Sequence, residues 1–398
     1  MPKTAMIVQA DWLKAPLQTA VVKALGAENI KFVGGAVRDT LIGREPADID
    51  AATPLLPADM TMRLEAAGLR VIPTGLKHGT VTVALKKRAI EITTLRVDVE
   101  TDGRRAEVAF TEDWLEDAKR RDFTFNAIYM APDGTLFDPF NGLADLKAGT
   151  VRFIGDAVER IEEDALRILR FFRFFARYGQ GKPNTEALAA CTAKKTMLAR
   201  LSIERIRDEL FKMMALDNIL QAVVPMWESG ILAEVYGSKH CIRRIKSFLD
   251  AEKQTGATID PLLRFYHLAP ITLKAPDIAS QFRLSNEELR FLCDLECALG
   301  DRQPADAAGI RRAIYTYGKK VAEAAAVSAN TANYHSVRNL CSEWDVPYMP
   351  VMGRDLIATG AVPGPAMGAR LQALEKRWID SDFTLDREAL LQISSESL

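Results

Sequence analysis

Two aspartates and a pair of glycines near the start of the chain have the types and spacing to act together. Gly34 and Gly35 follow a short apolar run, and Asp48 and Asp50 stand two positions apart a little further on. Residues i and i+2 of a strand share a face, so both carboxylates would point the same way while Ile49 points into the core. Such a pair suits Mg²⁺ when the ion also keeps waters and substrate phosphates.

The Gly-Gly turn predicts a phosphate site beside these carboxylates. We expect a strand over residues 30–33, then the turn, then a short helix that carries Arg38. A glycine turn ahead of a helix exposes backbone N–H groups that can hold a phosphate. Asp-x-Asp alone is usually a solvated edge, and Gly-Gly alone is only a turn. Their combination with Arg38 in one window favours metal-dependent chemistry on a nucleoside triphosphate.

A second set of candidates lies in residues 120–127, which read Arg-Arg-Asp-Phe-Thr-Phe-Asn-Ala. Two adjacent arginines before an aspartate can hold phosphate and be oriented by the carboxylate. A surface charge cluster is the alternative interpretation. Against it, Phe123 and Phe125 alternate with polar residues and anchor the segment to the core.

Residues 163–173 predict a helix that could read a base. Residues three and four apart are neighbours on a helix, so Asp164, Arg167 and Arg170 would share one stripe that continues to Arg173. Cytosine and adenine offer an amino donor beside a ring-nitrogen acceptor, and uracil and guanine reverse that order. A carboxylate and a guanidinium, as in Asp164 and Arg167, would therefore accept C and A. Ion pairs along a solvated helix are the ordinary alternative.

In this order, the motifs resemble those of the bacterial tRNA nucleotidyltransferases (CCA-adding enzymes) and the related bacterial poly(A) polymerases. These are class II members of the polymerase-β-like nucleotidyltransferases. Gly-Gly-x-Val-Arg-Asp, Asp-x-Asp and Glu-Asp-x-x-Arg are all matched, and the resemblance covers roughly the first half of the chain. It implies template-independent addition or repair of the 3′-terminal CCA of tRNA, from CTP and ATP, by two-metal phosphoryl transfer. Mg²⁺ is the implied cofactor and tRNA the implied partner.

The resemblance also implies roles for individual residues. Asp48 and Asp50 would bind the metal ions, and Glu91 would be a third acidic residue of the catalytic set, although a solvated strand glutamate is the alternative for it. Arg121 would contact the nucleotide and Asp122 would lie near the sugar. The implied nucleotide-binding residues are Gly34, Gly35, Arg38, Arg121, Asp122, Asp164, Arg167, Arg170 and Arg173.

Alternating and helical patterns predict the elements that must position these residues. Residues 79–85 and 89–95 alternate as a hairpin, and 125–130 predict a strand or the start of a helix. After about residue 155 nearly every segment has helical period. Within it, residues 201–210 predict a helix with an N-cap at Ser202 and an i, i+4 pair of Arg205 with Glu209. The resemblance assigns 142–155 to a flexible connection.

We therefore predict an α+β fold: a polymerase-β-like nucleotidyltransferase head with a small β-sheet, followed by an all-α neck, body and tail. The expected domains are a catalytic head at 1–150, a neck with base recognition at 151–215, a body at 216–300 and an RNA-binding tail at 301–398.

Composition limits the partners. The net charge of the 398-residue chain is −1, so RNA would have to be held by local basic patches. Candidate patches are the basic pairs Arg243-Arg244, Arg311-Arg312 and Lys319-Lys320, each of which could equally face solvent. The segment 353–368 resembles the tail of the same family, and its Gly-Pro turn could present helix amides to an RNA phosphate. The five cysteines form no Cys-x-x-Cys pair, which argues against zinc and for a cytoplasmic protein. No apolar run is long enough to span a membrane.

Two other functions fit parts of this pattern. A poly(A) polymerase would use the same site with ATP alone. A non-catalytic RNA-binding protein could keep the fold, but the intact Asp48 and Asp50 pair argues against it. We favour CCA addition because Asp164 and Arg167 suit both C and A, and because the tail resembles that of CCA-adding enzymes. The oligomeric state does not follow from the sequence.

Overall fold

The computed structural model describes residues 7–46, 48–75, 79–85, 88–99, 107–238, 241–301, 304 and 306–396. By its internal packing the chain divides into two compact units, Met1–Lys239 and His240–Leu398.

The first unit begins with a mixed sheet. Its strands in the described residues are β1 (Lys31–Val33), β2 (Ile49–Thr53), β3 (Arg70–Gly75), β4 (Thr80–Leu85), β5 (Arg88–Thr94), β8 (Tyr129–Met130) and β9 (Leu136–Phe137), and a separate pair is formed by β6 (Arg96–Val99) and β7 (Glu107–Phe110). The order in the main sheet is β3-β4-β5-β2-β1-β8-β9. Strand β2 runs parallel to β5 and antiparallel to β1. The predicted hairpin is confirmed as β4 and β5, but the turn residues Lys86 and Lys87 lie outside the described residues.

α-Helices alternate with these strands along the chain and pack against the strands or the neighbouring loops. They are α1 (Pro16–Leu25), α2 (Gly35–Leu41), α3 (Pro57–Ala66), α4 (Trp114–Lys119) and α5 (Gly142–Ala148). Proline at the first position of α1 and of α3 starts each helix, since its missing N–H costs nothing there. Apolar side chains such as Val21, Leu25 and Leu64 are completely buried against the strands.

The structure defines two segments of this region more closely than the sequence did. Residues 125–130 divide between a 3-10 turn, Thr124–Ala127, and strand β8. The segment expected to be a flexible connection starts with a regular helix, α5, whose left-handed C-cap is Gly149 at φ 65°. Glycine takes that conformation without the strain a Cβ would add.

The rest of the first unit is helical, as predicted. Its helices are α6 (Ala157–Glu163), α7 (Leu166–Tyr178), α8 (Thr185–Ala193), α9 (Ile203–Met214), α10 (Leu220–Glu228) and α11 (Ile231–Tyr236). Helix α7 has two faces. Ile168, Phe171 and Phe175 are buried on one of them, and arginines at 167, 170, 173 and 177 recur at helical spacing on the other.

The second unit is entirely helical in its described residues. Its helices are α12 (Arg243–Thr255), α13 (Pro261–Leu268), α14 (Ala275–Phe282), α15 (Asn286–Gly300), α16 (Ala307–Tyr317), α17 (Lys319–Ser328), α18 (Tyr334–Glu343), α19 (Gly353–Ala358), α20 (Pro365–Asp380) and α21 (Arg387–Glu396). Near its end an apolar cluster is formed by Val351, Leu356, Leu374, Trp378 and Leu390. The predicted α+β class with a helical remainder is confirmed.

Candidate active site

Asp50 and the predicted nucleotide-binding residues converge on one cleft of about 510 Å³ in the first unit. Its walls are Gly34, Gly35, Arg38, Asp50, Arg121, Asp122, Asn126, Asp164, Leu166, Arg167, Arg170, Arg173, Phe174 and Arg205. Every residue predicted to bind nucleotide is in this set. Asp48 and Glu91 are not among the lining residues.

The acidic corner of the cleft is built by the sheet. Strand register sets Asp50 of β2 directly beside Glu91 of β5, and the two flanking isoleucines of Glu91 are buried, so its carboxylate faces outward as predicted. Asp48 is exposed and immediately precedes β2 rather than lying in it. Burial, then the charge of Glu91, raises the pKa of Asp50, and Asp48 adds to the effect.

The glycine turn approaches this corner closely. Gly34 has φ 79° and ψ −133°, a conformation that favours glycine. A Cβ at this position would lie 3.2 Å from Oδ2 of Asp50. The turn therefore requires glycine both for its backbone angles and for the space beside the carboxylate.

Arg38 projects from the helix that the turn opens and is held on several sides. Its guanidinium lies 5.2 Å from the ring centre of Phe174 and 5.7 Å from that of Tyr178. Nη1 donates to Oδ1 of Asn126, and Nε lies 3.4 Å from the Tyr178 hydroxyl. Cation–π contacts and hydrogen bonds together fix the charge at the cleft wall.

Arg121 is positioned by a buried carboxylate behind the cleft. Asp117, 1% exposed, accepts from Nη2 of Arg121 at 3.1 Å, from Arg120 and from the Tyr129 hydroxyl at 2.6 Å. Burial opposes ionisation of Asp117, but Arg121 and Arg120 outweigh it and lower the pKa to about 2. Arg121 also donates to the Tyr129 hydroxyl at 2.9 Å.

Asp122 links the sheet unit to helix α7. Its Oδ2 accepts from Nε of Arg170 at 2.7 Å, while its Oδ1 accepts from the Asn126 amide at 2.5 Å. Burial works against its charge, yet Arg170 and Asn126 hold the pKa of Asp122 below its ordinary value. Asn126 thus joins Asp122 to Arg38 in one hydrogen-bonded chain.

The prediction that Asp164 lies on a continuous helix with Arg167 is wrong. Helix α6 ends at Glu163, and Asp164 has φ −150° in the break before α7. There its Oδ1 accepts from the backbone N–H of Leu166 at 3.1 Å, as expected of an aspartate ahead of a helix. Its ion-pair partner is Arg205 of α9, at 2.9 Å.

Arg167 pairs with the residue before the break instead. Its Nη1 donates to Glu163 at 2.6 Å and to the carbonyl of Arg160 at 2.8 Å. Nη2 lies 3.3 Å from the carbonyl of Arg120. These bonds tie α7 to the segment that carries Arg121.

The predicted pair of Arg205 with Glu209 is also wrong. Glu209, 3% exposed, accepts from Nε of Arg173 across the α7–α9 contact. Ser202 occupies the N-cap position of α9 as predicted, without a side-chain capping bond. Arg205 and Glu209, predicted to pair with each other on α9, therefore form ion pairs with Asp164 and Arg173 instead.

Comparisons with known proteins agree with this architecture. Residues 30–152 match the model of the poly A polymerase head domain, and residues 182–236 match that of the probable RNA and SrmB-binding site of polymerase A. The mitochondrial CCA tRNA nucleotidyltransferase 1 of Mus musculus is 35% identical over 376 residues, which cover 91% of this chain and 85% of the mouse protein.

This chain belongs to the family of CCA-adding nucleotidyltransferases. The CCA-adding enzyme of Levilactobacillus brevis is 31% identical over 389 residues, 90% of this chain and 92% of that enzyme. The crystal structure of the Bacillus stearothermophilus CCA-adding enzyme in complex with CTP superposes with a TM-score of 0.81 at 26% identity, covering 96% of this chain and 98% of that one. The chain is a nucleotidyltransferase.

The acidic corner fits the metal that nucleotidyltransferases of this family generally require. Within the described part of the chain, no three His, Cys, Asp or Glu side chains are grouped so as to hold a metal by themselves. Mg²⁺ does not need such a cage, because it commonly takes one or two carboxylates and completes its shell with water and substrate phosphates. The unfavourable charge of Asp50 beside Glu91 is what a bound cation would relieve.

Sequence reasoning missed several residues of this CCA-adding nucleotidyltransferase site. Asn126 lies inside a predicted motif, and its amide beside Asp122 was a usable signal. Phe174 and Asp117 were not predicted to be part of the site, and Arg205 was predicted only to pair locally with Glu209. Their roles depend on contacts between distant elements, which a single sequence does not reveal.

Proposed function

We propose that this chain adds or repairs the 3′-terminal CCA of tRNA without a nucleic-acid template, using CTP and ATP as substrates and Mg²⁺ as cofactor. The observation that carries the proposal is the joining in one cleft of Asp50 with Asp164 and Arg167. One end of the cleft offers carboxylates for phosphoryl transfer, and the other offers an acceptor and a donor for a base edge.

The phosphate chain of the incoming nucleotide would lie between these ends. Gly34 and Gly35 expose backbone N–H groups at the start of α2, and Arg38 adds a fixed positive charge. Arg121 would contact the nucleotide from the opposite segment, held in place by Asp117. Asp122 would lie near the ribose, held by Arg170.

Mg²⁺ would be held by Asp48 and Asp50, in the two-metal arrangement in which bound ions activate the RNA 3′-hydroxyl and neutralise the triphosphate. Glu91 would complete the acidic set from the neighbouring strand. Asp48, exposed immediately before β2, would supply the second carboxylate for the metal.

Base choice would fall to Asp164 and Arg167. Asp164 would accept from the exocyclic amino group and Arg167 would donate to the ring nitrogen, with Arg170 and Arg173 supporting that choice or binding phosphates. The two key side chains are held apart from each other by different partners. Each side chain could therefore form a hydrogen bond with a different atom of the same base edge.

We also propose the four-part organisation of head (1–150), neck (151–215), body (216–300) and RNA-binding tail (301–398) for this chain. The relatives named above act on tRNA or are described as CCA-adding, which supports tRNA as the partner.

The deciding experiment is single-nucleotide incorporation on tRNA transcripts that lack CCA, lack CA or lack only the terminal A. With Mg²⁺ present, we expect CTP on the first two and ATP on the third, and no comparable use of UTP or GTP. Successive addition of ATP to any RNA 3′ end would instead indicate a poly(A) polymerase. Absence of incorporation in a protein that still binds tRNA would indicate a non-catalytic relative.

Arg167→Ala tests the base-reading part separately. A donor left unpaired costs about 1–3 kcal/mol, so the variant should use UTP or GTP at rates closer to those of CTP and ATP. Equal slowing of all four triphosphates would make Arg167 a scaffold residue.

A further inference from the structure

The contact between Arg205 and Asp164 bears on how the cleft selects a base, and the inference from it rests on the proposed function. Nη2 of Arg205 donates to Oδ1 of Asp164 at 3.0 Å and to Oδ2 at 2.9 Å. Both residues line the cleft. They come from different elements, because Asp164 lies in the break before α7 and Arg205 lies on α9.

The hydrogen bonds to Asp164 leave a defined vacancy on its carboxylate. Each carboxylate oxygen has about two acceptor positions. In the described part of the chain, Oδ1 accepts from Leu166 N–H and from Arg205, while Oδ2 accepts from Arg205 alone. One acceptor position therefore remains, on Oδ2.

We propose that Arg205 is a positioning residue for base selection, which holds the Asp164 carboxylate so that Oδ2 accepts one N–H from the exocyclic amino group of cytosine or adenine. The Asp164 carboxylate needs such a partner to hold its orientation. The terminal torsion of an aspartate is soft, and the local bond from the Leu166 N–H holds only Oδ1. Its side chain is 34% exposed, so packing does not fix it.

Loss of the Arg205–Asp164 contact would weaken discrimination between bases rather than slow nucleotide transfer itself. Without Arg205 the carboxylate keeps the bond from the Leu166 N–H to Oδ1, but Oδ2 is no longer held. In a wet cleft it can then be bridged by water to the carbonyl of uracil or guanine, because water donates to both oxygens. The amino-bearing bases would lose their advantage. The metal and phosphate residues at the other end of the cleft would be unaffected.

The test uses the full chain and kcat/KM for each of the four triphosphates on the matching tRNA transcripts. Arg205→Ala should reduce the preference for CTP over UTP, and for ATP over GTP, by about tenfold, the size of one hydrogen bond's net contribution. Arg205→Lys keeps the charge and most of the reach, and should keep most of the preference. Lys212→Ala removes an exposed cation from the same helix outside the cleft and should leave all four values unchanged.

A common fall for all four triphosphates, or unchanged ratios, would overturn the inference and make Arg205 a scaffold residue or a bystander. Circular dichroism checks the fold, which should survive because the Arg205 side chain is 47% exposed. If the alanine variant does not fold, Arg205→Gln replaces it under the same criteria. Failure of the proposed function is a different result: the unmodified chain would then not incorporate CTP on tRNA at all.

Discussion

At the scale of single residues, the acidic corner that we propose to bind metal is unfavourable for the stability of the fold. Burial and the neighbouring Glu91 both disfavour the charge of Asp50. Asp50→Asn should therefore leave the metal-free protein at least as stable as the unmodified chain. It should also abolish incorporation, because it removes a carboxylate from the proposed metal site. We expect a loss of more than about a hundredfold in rate, roughly 2.7 kcal/mol of barrier.

A binding readout separates this effect from the assay itself. Mg²⁺ should raise the Tm of the unmodified chain and should raise that of the Asp50→Asn variant much less. An active variant, or one with an undiminished Mg²⁺ response, would remove Asp50 from the metal site.

Gly34 offers a second test, because its two constraints can be separated. Gly34→Ala adds backbone strain of about 1–2 kcal/mol at positive φ and also places a Cβ 3.2 Å from the Asp50 carboxylate. Gly68, at φ 73°, has nothing within 4 Å of its ideal Cβ, so Gly68→Ala carries the strain alone. Urea unfolding should show destabilisation of both variants, larger for Gly34→Ala because the contact with Asp50 adds to the strain, whereas only Gly34→Ala should lose incorporation.

The buried Asp117 predicts a pH dependence of stability. Its pKa is lowered to about 2, against about 3.9 for an unfolded aspartate. A lowered pKa stabilises the fold above the unfolded value, and the contribution is lost as pH falls toward the folded value. It amounts to roughly 2–3 kcal/mol at neutral pH, of which roughly half should be gone by pH 3.

Asp117→Asn removes that contribution. The measurement is the free energy of unfolding in urea, at pH 6 and at pH 3, for the unmodified chain and the variant. The difference between the two proteins should be smaller at pH 3 than at pH 6. A gap that stays constant between the two pH values would show that Asp117 has an ordinary pKa.

At the scale of elements, the break at Asp164 reorganises the charges around it. A continuous helix would pair charged side chains three and four residues apart. The observed ion pairs instead join α7 and the break before it to α9 and to the end of α6. The Arg173–Glu209 pair, with exposures of 15% and 3%, joins α7 to α9. Removing one partner of such a buried pair typically costs about 3–5 kcal/mol, because the other charge is left uncompensated.

A double-mutant cycle measures this clamp. Arg173→Met alone should cost about 3 kcal/mol in urea unfolding, and combining it with Glu209→Gln should cost clearly less than the sum. The exposed Lys119–Glu116 pair is the matched control, where the coupling should stay below about 1 kcal/mol. Additive costs at Arg173 and Glu209 would mean that the pair does not clamp the helices.

The contrast between Arg38 and Arg205 shows how much of the site could be predicted from the sequence. The strand, the Gly-Gly turn, the helix with Arg38 and the hairpin with Glu91 follow from local periodicity and turn chemistry, and the structure has them all. The partners of Arg205, Asp164 and Glu209 did not follow, because i, i+4 spacing favours local pairs, whereas a helix break of two residues between α6 and α7 changes which side chains meet. Sequence reasoning thus found the cleft residues but not the contacts that orient them.

At the scale of the whole molecule, the RNA-binding surface and the cellular compartment are both predictions from the sequence. No helix among the described residues is long and apolar enough to cross a membrane. The cytoplasmic location stays a prediction, since the mouse relative is named as mitochondrial. Of the basic pairs considered for RNA, Arg311 and Arg312 are engaged with Asp382 and Asp380.

Other basic residues are better placed to hold RNA in the tail. Arg354, Lys376 and Arg377 are exposed on α19 and α20. Deleting residues from 353 onward would remove Leu356 and Trp378 from a buried cluster. Truncation would therefore confuse loss of binding with loss of folding, and substitution at the exposed cations is the cleaner test.

We expect the triple change Arg354→Ala, Lys376→Ala and Arg377→Ala to weaken tRNA binding and to flatten its dependence on salt. Each lost phosphate contact should reduce the slope of log K against log salt by roughly one. The measurement is tRNA affinity between about 50 and 200 mM salt, for this variant and for a control that changes three exposed cations of the first unit, Lys14, Arg70 and Lys147, to alanine. Because the net charge of the chain is −1, affinity must come from where the cations are rather than from their total. Equal slopes for the two triple variants would therefore mean that the tail does not hold the RNA.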